Sequence, residues 1–259
     1  AGPPGPAGGA GAAPPPPLLE PSYCGAGGAG APRGAARPGS WLRHCYLAAA
    51  SADHYHSPGT RQPKGHALMS LPPSKMPFDL SKERWHPSPL PGHIIIVSTI
   101  DAEGRPNIAP KSWFTMASFR GPHVAFGCSL DHRTYQNAAA SGEFVVNIPD
   151  ESLARAIWAM PDSHGEERIR RCGLTLVPAQ RVRSSLVAEC RAHLECILDA
   201  VQQFGREVFL FGRVVAAAID RDCAAGSFTN QYAMLNPIFF LEDGAYAPLA
   251  AARRVDDEA

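Results

Sequence analysis

The sequence lacks the signature motifs of several common enzyme classes. Its 259 residues contain no Gly-x-Ser-x-Gly nucleophile elbow and no His-Glu-x-x-His zinc motif, which argues against a hydrolase built on either pattern. No Gly-x-Gly-x-x-Gly follows a predicted strand, so no Rossmann dinucleotide domain is implied. The patterns that remain point to a different fold and a different chemistry.

The sequence also has no apolar run of about 18 residues, the length that a membrane-spanning helix needs. Its N-terminus shows no charged region followed by a continuous apolar stretch, so we expect no secretory signal. No Cys-x-x-Cys occurs, and the cysteines stand at irregular spacings. This pattern favours free, buried thiols in a cytoplasmic protein. The cysteines are Cys24, Cys45, Cys128, Cys172, Cys190, Cys196 and Cys223.

Residues 1–75 differ sharply in composition from the rest of the chain. They hold 14 of the 26 Pro and 13 of the 24 Gly and show no apolar periodicity, so we expect a disordered extension. Translation from a start codon placed too early would give a similar stretch ahead of Met76, and by that interpretation the extension is not native. A metal site at His54 and His56 is a weaker interpretation than incidental composition.

The charge balance argues against nucleic acid as the main partner. Lys and Arg together equal Asp and Glu at 24 each, and residues 1–75 carry six basic against two acidic residues. Residues 76–259 are therefore mildly acidic, and they show no long basic stripe of the kind that follows a phosphate backbone. We expect neither nucleic acid nor a membrane as the partner.

Residues 76–259 alternate apolar runs with turn residues and are predicted to form one globular domain. About seven strands with few helices indicate a mainly antiparallel β-barrel. One helix is expected to begin at Asp131 or Thr134, as its cap, and to end at Gly142. The predicted strands are 93–100, 106–110, 113–119, 123–128, 143–148, 186–201 and 208–219, and the further short helices are 152–160 and 166–172.

One candidate binding segment is 107–114, Asn-Ile-Ala-Pro-Lys-Ser-Trp-Phe. Pro106 and Pro110 interrupt the pairing of the strand and leave backbone groups free to face a ligand. Asn107 and Ser112 add side-chain donors and acceptors, and the adjacent aromatic pair can cover a ring face. These groups suit the polar edge of a flat heteroaromatic ring such as flavin. An edge strand with turn residues and a core Trp is the alternative.

A second candidate segment is 129–137, Ser-Leu-Asp-His-Arg-Thr-Tyr-Gln-Asn. A strand here leads into a loop that opens a helix, whose N-terminus offers free N–H groups and partial positive charge to a phosphate. Arg133 can hold phosphate oxygens bidentately, and Thr134 can donate its hydroxyl. An ordinary helix capped by Asp131, with Arg133 in solvent, is the alternative. Together the two segments suggest a flavin mononucleotide (FMN) site.

Two weaker candidates lie elsewhere. His193 and Glu195 are predicted to share one face of a strand, where acid–base work is one interpretation and a partly buried structural pair is the stronger one. The loop 162–164, Asp-Ser-His, is a candidate for shielding a ligand.

Four pieces of the sequence together resemble the flavin reductase-like family, whose fold is the FMN-binding split barrel shared with flavoredoxin. Residues 211–215 and 244–246 also fit late elements of that family. The match covers roughly residues 85–250, and the joint order of its pieces makes it specific. The four pieces are 97–114, Arg133-Thr134 with Asn137, Gly142-Glu-Phe-Val-Val-Asn-Ile-Pro149 and His193-Leu-Glu-Cys196.

The resemblance implies a mainly β, Greek-key split barrel with a few short helices, which forms a homodimer and binds FMN near the dimer interface. It implies an oxidoreductase that passes electrons from NADH or NADPH through flavin to free flavin, a partner oxygenase or another acceptor. An FMN-binding electron carrier without NAD(P)H turnover is the alternative. No metal and no catalytic side chain is implied, and no motif marks the pyridine-nucleotide site.

The resemblance also assigns cofactor-binding residues. Lys111 departs from the family pattern, because many relatives have an aromatic or apolar residue there, and a cation near N1 and O2 of flavin favours the reduced, anionic ring. The residues assigned to the ring and ribityl chain are Asn107, Ala109, Pro110, Ser112 and Trp113, and those assigned to the phosphate and its surroundings are Ser129, Arg133, Thr134 and Asn137.

Overall fold

The computed structural model of the chain describes residues 72–76, 90–241, 244–249 and 252. All of them fall in the second of two units, Ala36–Ala259. The predicted disordered extension lies almost entirely outside the described residues, as do His54, His56, Cys24 and Cys45, so those interpretations stay predictions. None of the described helices is long and apolar enough to cross a membrane.

The described residues form short helices and mostly antiparallel strands. The helices are α1 (Arg133–Ser141), α2 (Ala154–Trp158), α3 (Gly165–Cys172), α4 (Arg221–Ala224) and α5 (Phe228–Leu235), with a 3-10 turn at Glu151–Leu153. The strands are β1 (Gly92–His93), β2 (Ile95–Ile100), β3 (Pro106–Lys111), β4 (Phe114–Met116), β5 (His123–Ser129), β6 (Glu143–Ile148), β7 (Leu176–Val177), β8 (Leu186–Val187), β9 (Ala192–Phe204), β10 (Glu207–Ile219), β11 (Ile238–Phe240) and β12 (Tyr246–Pro248).

Seven of these strands form one sheet in the order β3-β2-β6-β9-β10-β5-β4. The sheet curls, because β3 at one edge comes close to β5 near the other without pairing with it. Strands that are distant in sequence, such as β2 and β6, lie side by side, which is typical of Greek-key connections. The predicted split barrel is therefore confirmed. β3 is an edge strand, as the alternative interpretation of segment 107–114 expected. The predicted interruption at Pro106 and Pro110 was wrong, because β3 pairs with β2 at every position from Pro106 to Lys111.

Apolar side chains pack on both faces of the sheet. Val97 and Phe144 belong to the core inside the curl, whereas Ile96 and Ile157 belong to an outer core under α2 and α3. A strand buried on both faces is apolar at every position. This explains why the run Ile94–Val97 does not alternate.

Gly212 allows the inner core to close. It lies beside an irregularity in the pairing of β9 and β10, and a Cβ at this position would lie only 2.2 Å from Cζ of Phe144. The ring of Phe144 therefore fits against the backbone of β10 and meets Phe126 edge-on, with ring centroids 5.2 Å apart.

Two predicted strands are each divided in the structure. The predicted strand 186–201 is divided: Leu186–Val187 pair with β7, a turn follows in which the Cys190 N–H donates to Val187 O, and β9 begins at Ala192. The first strand is likewise interrupted, because the Ile94 N–H donates to Ile238 O and joins β1 to the small sheet with β11 and β12. The apolar pattern continues through both interruptions, so it could not reveal them.

Candidate functional site

A cleft of about 300 Å³ opens between the β2–β3 turn, helix α1 and the start of α3. Its volume is at the lower end of the range for small-molecule sites. It brings Asn107, from the first predicted segment, together with Arg133 and Asn137 from the second. The lining residues are Asp101, Arg105, Pro106, Asn107, Arg133, Asn137, His164, Gly165 and Glu166.

Among the residues that line the cleft, Asn107 alone has a buried side-chain atom without a hydrogen-bond partner in the described structure. Its side chain is 2% exposed on β3, and its Oδ1 accepts the Gly165 N–H at 3.3 Å. Its Nδ2 is buried without a hydrogen-bond partner among the described residues. An unsatisfied buried donor costs about 1–3 kcal/mol, so an acceptor bound in the cleft would remove a real penalty.

Helix α1 presents an uncapped N-terminus beside this amide. Its N-cap is His132, and no side chain caps the helix. Its first residue, Arg133, is exposed and forms no ion pair with the residues that the structure describes. The first-turn N–H groups and the guanidinium together make a site that favours an anion.

The predicted caps of α1 were wrong for a physical reason. Asp131 forms an ion pair with Arg206 instead, and Thr134 is 1% exposed within the first turn of the helix. The His132 ring holds the loop before the helix rather than the helix itself, because its Nδ1 accepts the Ser129 N–H at 3.3 Å. The strand-to-helix loop is therefore held without using up the first-turn N–H groups.

The surroundings of the two imidazoles near the cleft disfavour their charged forms. Burial, followed by the charge of Lys111, lowers the pKa of His132 to about 4. Burial, followed by the charges of Arg168 and Arg133, lowers the pKa of His164. The positive charge of the region therefore rests on side chains that do not titrate near pH 7.

The remaining predicted residues do not line the cleft. Those on β3 and around the start of α1 are buried, whereas Ser112 is half-buried and Trp113 is 45% exposed. Trp113 therefore does not fit the alternative of a core Trp, although its indole packs on Gly127, where a Cβ would lie 2.5 Å from Cε3. The buried residues are Ala109, Pro110, Lys111, Ser129 and Thr134.

Asn137 and Glu143, from the motif Gly142–Pro149, make hydrogen bonds that hold other parts of the fold in place. The Nδ2 of Asn137 donates to Thr99 Oγ1 at 3.2 Å, which ties α1 to β2. Glu143, 7% exposed, accepts the N–H groups of Arg183 and Ser184 at 2.8 and 3.2 Å. These residues of the resemblance therefore stabilise the barrel.

His193 and Glu195 are engaged in structural hydrogen bonds, as the stronger interpretation expected, but they do not bond to each other. The His193 Nδ1–H donates to Asn147 Oδ1 at 2.9 Å. Glu195 accepts the N–H groups of Gln180 and Arg181 at 3.0 and 2.6 Å. Glu195 therefore holds the segment that leads into β8, whereas His193 is bonded to β6.

Sequence analysis missed one wall of the cleft. Asp101, Arg105, Gly165 and Glu166 were not singled out, and His164 was expected only in a shielding loop. The sequence contained one signal for this wall, the glycine directly before the predicted helix 166–172. Gly165 adopts φ +61° and brings the chain close to β3.

Comparison with known proteins identifies the family of the chain. The chain matches the model of the flavin reductase like domain over residues 88–239. An uncharacterized protein of Pyrococcus abyssi is 24% identical over 124 residues, which cover 48% of this chain and 72% of that protein. The uncharacterized protein YwrF of Bacillus subtilis is 28% identical over 146 residues, which cover 51% and 70% of the two chains.

Solved structures show the same fold. Nitrilotriacetate monooxygenase component B from Bacillus cereus superposes with a TM-score of 0.60 at 24% identity, covering 74% of this chain and all of that one. Flavoredoxin of Desulfovibrio vulgaris superposes with a TM-score of 0.57 at 20% identity, covering 74% of this chain and 99% of that one. A Shewanella frigidimarina protein described as a flavin reductase with a split-barrel domain gives 0.58 at 15% identity, covering 64% and 85%.

Proposed function

Because the chain belongs to the flavin reductase-like family, we propose that it is an oxidoreductase that binds FMN and passes electrons from NADH or NADPH to free flavin, a partner oxygenase or another acceptor. Family membership supports a flavin-related redox role. The observation that carries the choice of FMN is the buried Asn107 Nδ2, which lacks a partner among the described residues and belongs to the same cleft as Arg133 at the uncapped start of α1.

The groups around the cleft fit a phosphate monoester. A phosphate dianion can only accept hydrogen bonds, and the Asn107 Nδ2, the Arg133 guanidinium and the first-turn N–H groups of α1 can only donate. We assign Ser129, Thr134 and Asn137 to the surroundings of the phosphate. Ala109, Pro110, Ser112 and Trp113 are assigned to the ring and ribityl chain.

Lys111 adds a buried positive charge to this region. It is 8% exposed and pairs across the sheet with Ile95, whose side chain lies in the inner core. Its charge lowers the pKa of His132 and opposes the burial that raises the pKa of Glu207. The ammonium group is therefore close to the start of α1, where it favours an anionic ligand.

The bound flavin would supply the redox chemistry itself. The chain's own part is to bind the phosphate, to orient the ring along β3 and to keep His132 and His164 neutral beside it.

We expect purified protein to be yellow or to become yellow with added FMN, and its visible absorption to bleach when NADH or NADPH is added without oxygen. Free FMN with the same nucleotide, without protein, is the control. A yellow protein that bleaches with neither nucleotide supports the electron-carrier alternative. A colourless protein that takes up no FMN contradicts the proposal.

We also propose that the protein is a homodimer. Large apolar side chains stand exposed on and beyond the edge strand β4, with Met116 58% and Phe119 96% exposed, and exposed apolar groups of this kind are typical of interfaces. Sedimentation velocity should give the mass of two chains, and Met116→Asp should lower the dimer fraction. A single-chain mass at every concentration would contradict the dimer.

A further inference from the structure

Helix α3 places an imidazole at the wall of the cleft that faces Asn107. His164, Gly165 and Glu166 belong to the lining, and the Gly165 N–H donates to Asn107 Oδ1. His164 is the N-cap residue of α3, yet its side chain makes no capping hydrogen bond. The ring is therefore available for other partners.

One of these partners is Arg168, one helical turn further along α3. Its side chain is 8% exposed, its Nη1 donates to Ile108 O of β3 at 3.0 Å, and its Nη2 lies 3.4 Å from His164 Nδ1. A buried charge persists only where hydrogen bonds hold it. Because the guanidinium is anchored to the backbone of β3, it fixes the ring of His164 relative to the cleft.

The contact with Arg168 favours one of the two tautomers of the neutral His164 ring. A guanidinium has only N–H donors, so Nδ1 of His164 must accept and carry no proton. The neutral ring then has its proton on Nε2, and the ring belongs to a residue that lines the cleft. Burial and the charges of Arg168 and Arg133 lower the pKa of His164, against the effect of Asp162. The other charged groups of the lining are Asp101, Arg105 and Glu166.

We propose that His164 donates its Nε2–H to a phosphate oxygen of the bound ligand, and that Arg168 is the positioning residue that sets the tautomer and orientation of that ring. The inference rests on the proposed function, because FMN supplies the phosphate monoester. A neutral donor suits this place, since it adds a hydrogen bond without bringing a further cation next to Arg168. Of the two carboxylates in the lining, Asp101 already accepts from Arg105 at 2.7 Å, and Glu166 is exposed.

Titrations with FMN, riboflavin and inorganic phosphate test the donor role. His164→Ala should weaken the binding of FMN and of phosphate roughly tenfold, the effect of one hydrogen bond to a charged acceptor, and should leave riboflavin binding unchanged. His164→Gln keeps an N–H donor and should retain most of the affinity. Wild-type protein that binds FMN no more tightly than His164→Ala contradicts this inference alone, whereas wild-type protein that does not bind FMN contradicts the proposed function as well.

Nitrogen-15 NMR of the imidazole tests the role of Arg168. In wild-type protein the proton of His164 should be on Nε2, and Arg168→Met should give a mixture of tautomers. Arg170→Met, an exposed position on the same helix, is the matched control. Arg168→Met should weaken FMN binding, and adding His164→Ala to that variant should weaken it no further. A proton on Nδ1 in the wild-type protein overturns the positioning role, even if Arg168→Met fails to fold.

Discussion

Arg133→Ala is expected to weaken FMN binding by about 10- to 100-fold while riboflavin binding stays nearly unchanged. Hydrogen bonds to charged groups contribute about 1.5–3 kcal/mol, and a guanidinium on a phosphate makes two of them in parallel. Riboflavin has the same ring and ribityl chain without the phosphate, so the difference between the ligands isolates the contact of Arg133. Fluorescence quenching of the two flavins gives both dissociation constants.

The control for Arg133→Ala must remove the same charge elsewhere. Arg155 is exposed on α2 and does not line the cleft, so Arg155→Ala should change neither affinity beyond a small effect of net charge. Equal losses of FMN and riboflavin binding in Arg133→Ala would contradict the phosphate role and would indicate a general disturbance of α1. The salt dependence of FMN binding should also be weaker in Arg133→Ala.

Asn147→Leu is expected to lower the free energy of unfolding by about 3 kcal/mol. The Asn147 side chain is fully buried. Its Nδ2 donates to Ile96 O and Ser98 Oγ, both at 3.0 Å, and its Oδ1 accepts the N–H of Val187 at 2.9 Å and the Nδ1–H of His193. A leucine of similar size removes the partner of the buried Ile96 O and Val187 N–H, although Ser98 Oγ keeps its bond to Ser185 O. Leaving buried backbone groups unsatisfied costs more than a cavity would.

Urea unfolding of wild-type and variant protein measures this loss. Asn230→Ala, at an exposed position of α5, is the matched control and should change the stability by less than about 0.5 kcal/mol. A loss below about 1 kcal/mol in Asn147→Leu would show that the β8 segment is held mainly by other groups, such as Glu143 and Glu195.

The strands of the barrel could be predicted because their signals are local. β5, β6 and β10 are apolar runs bounded by turn residues, and Gly142 ended α1 at the expected place in the left-handed conformation, with φ +73°. The ends of β9 and the break at Ile94 could not be predicted. They depend on hydrogen bonds to residues far along the chain, such as that from Ile94 to Ile238.

The same division applies to the candidate site. Asn107 and Arg133 could be singled out, because a strand that contains prolines and a helix N-terminus are properties of short segments. Their meeting in one cleft depended on the packing of β3 and α1 against β2. The roles expected of Ser112 and Trp113 stay predictions, since both lie beyond the cleft.

The sequence by itself determined a mainly β chain with two polar segments suited to a flavin, because periodicity, turn chemistry and helix-end chemistry are properties of neighbouring residues. Only the tertiary structure decided that α3 would form the facing wall, with Arg168 anchored on Ile108 and its guanidinium against His164. The hydrogen bond between Arg168 and Ile108 O joins residues 60 positions apart in the chain. It exists because the barrel curls and presents the edge strand β3 to the helix, and no short segment of sequence contains that information.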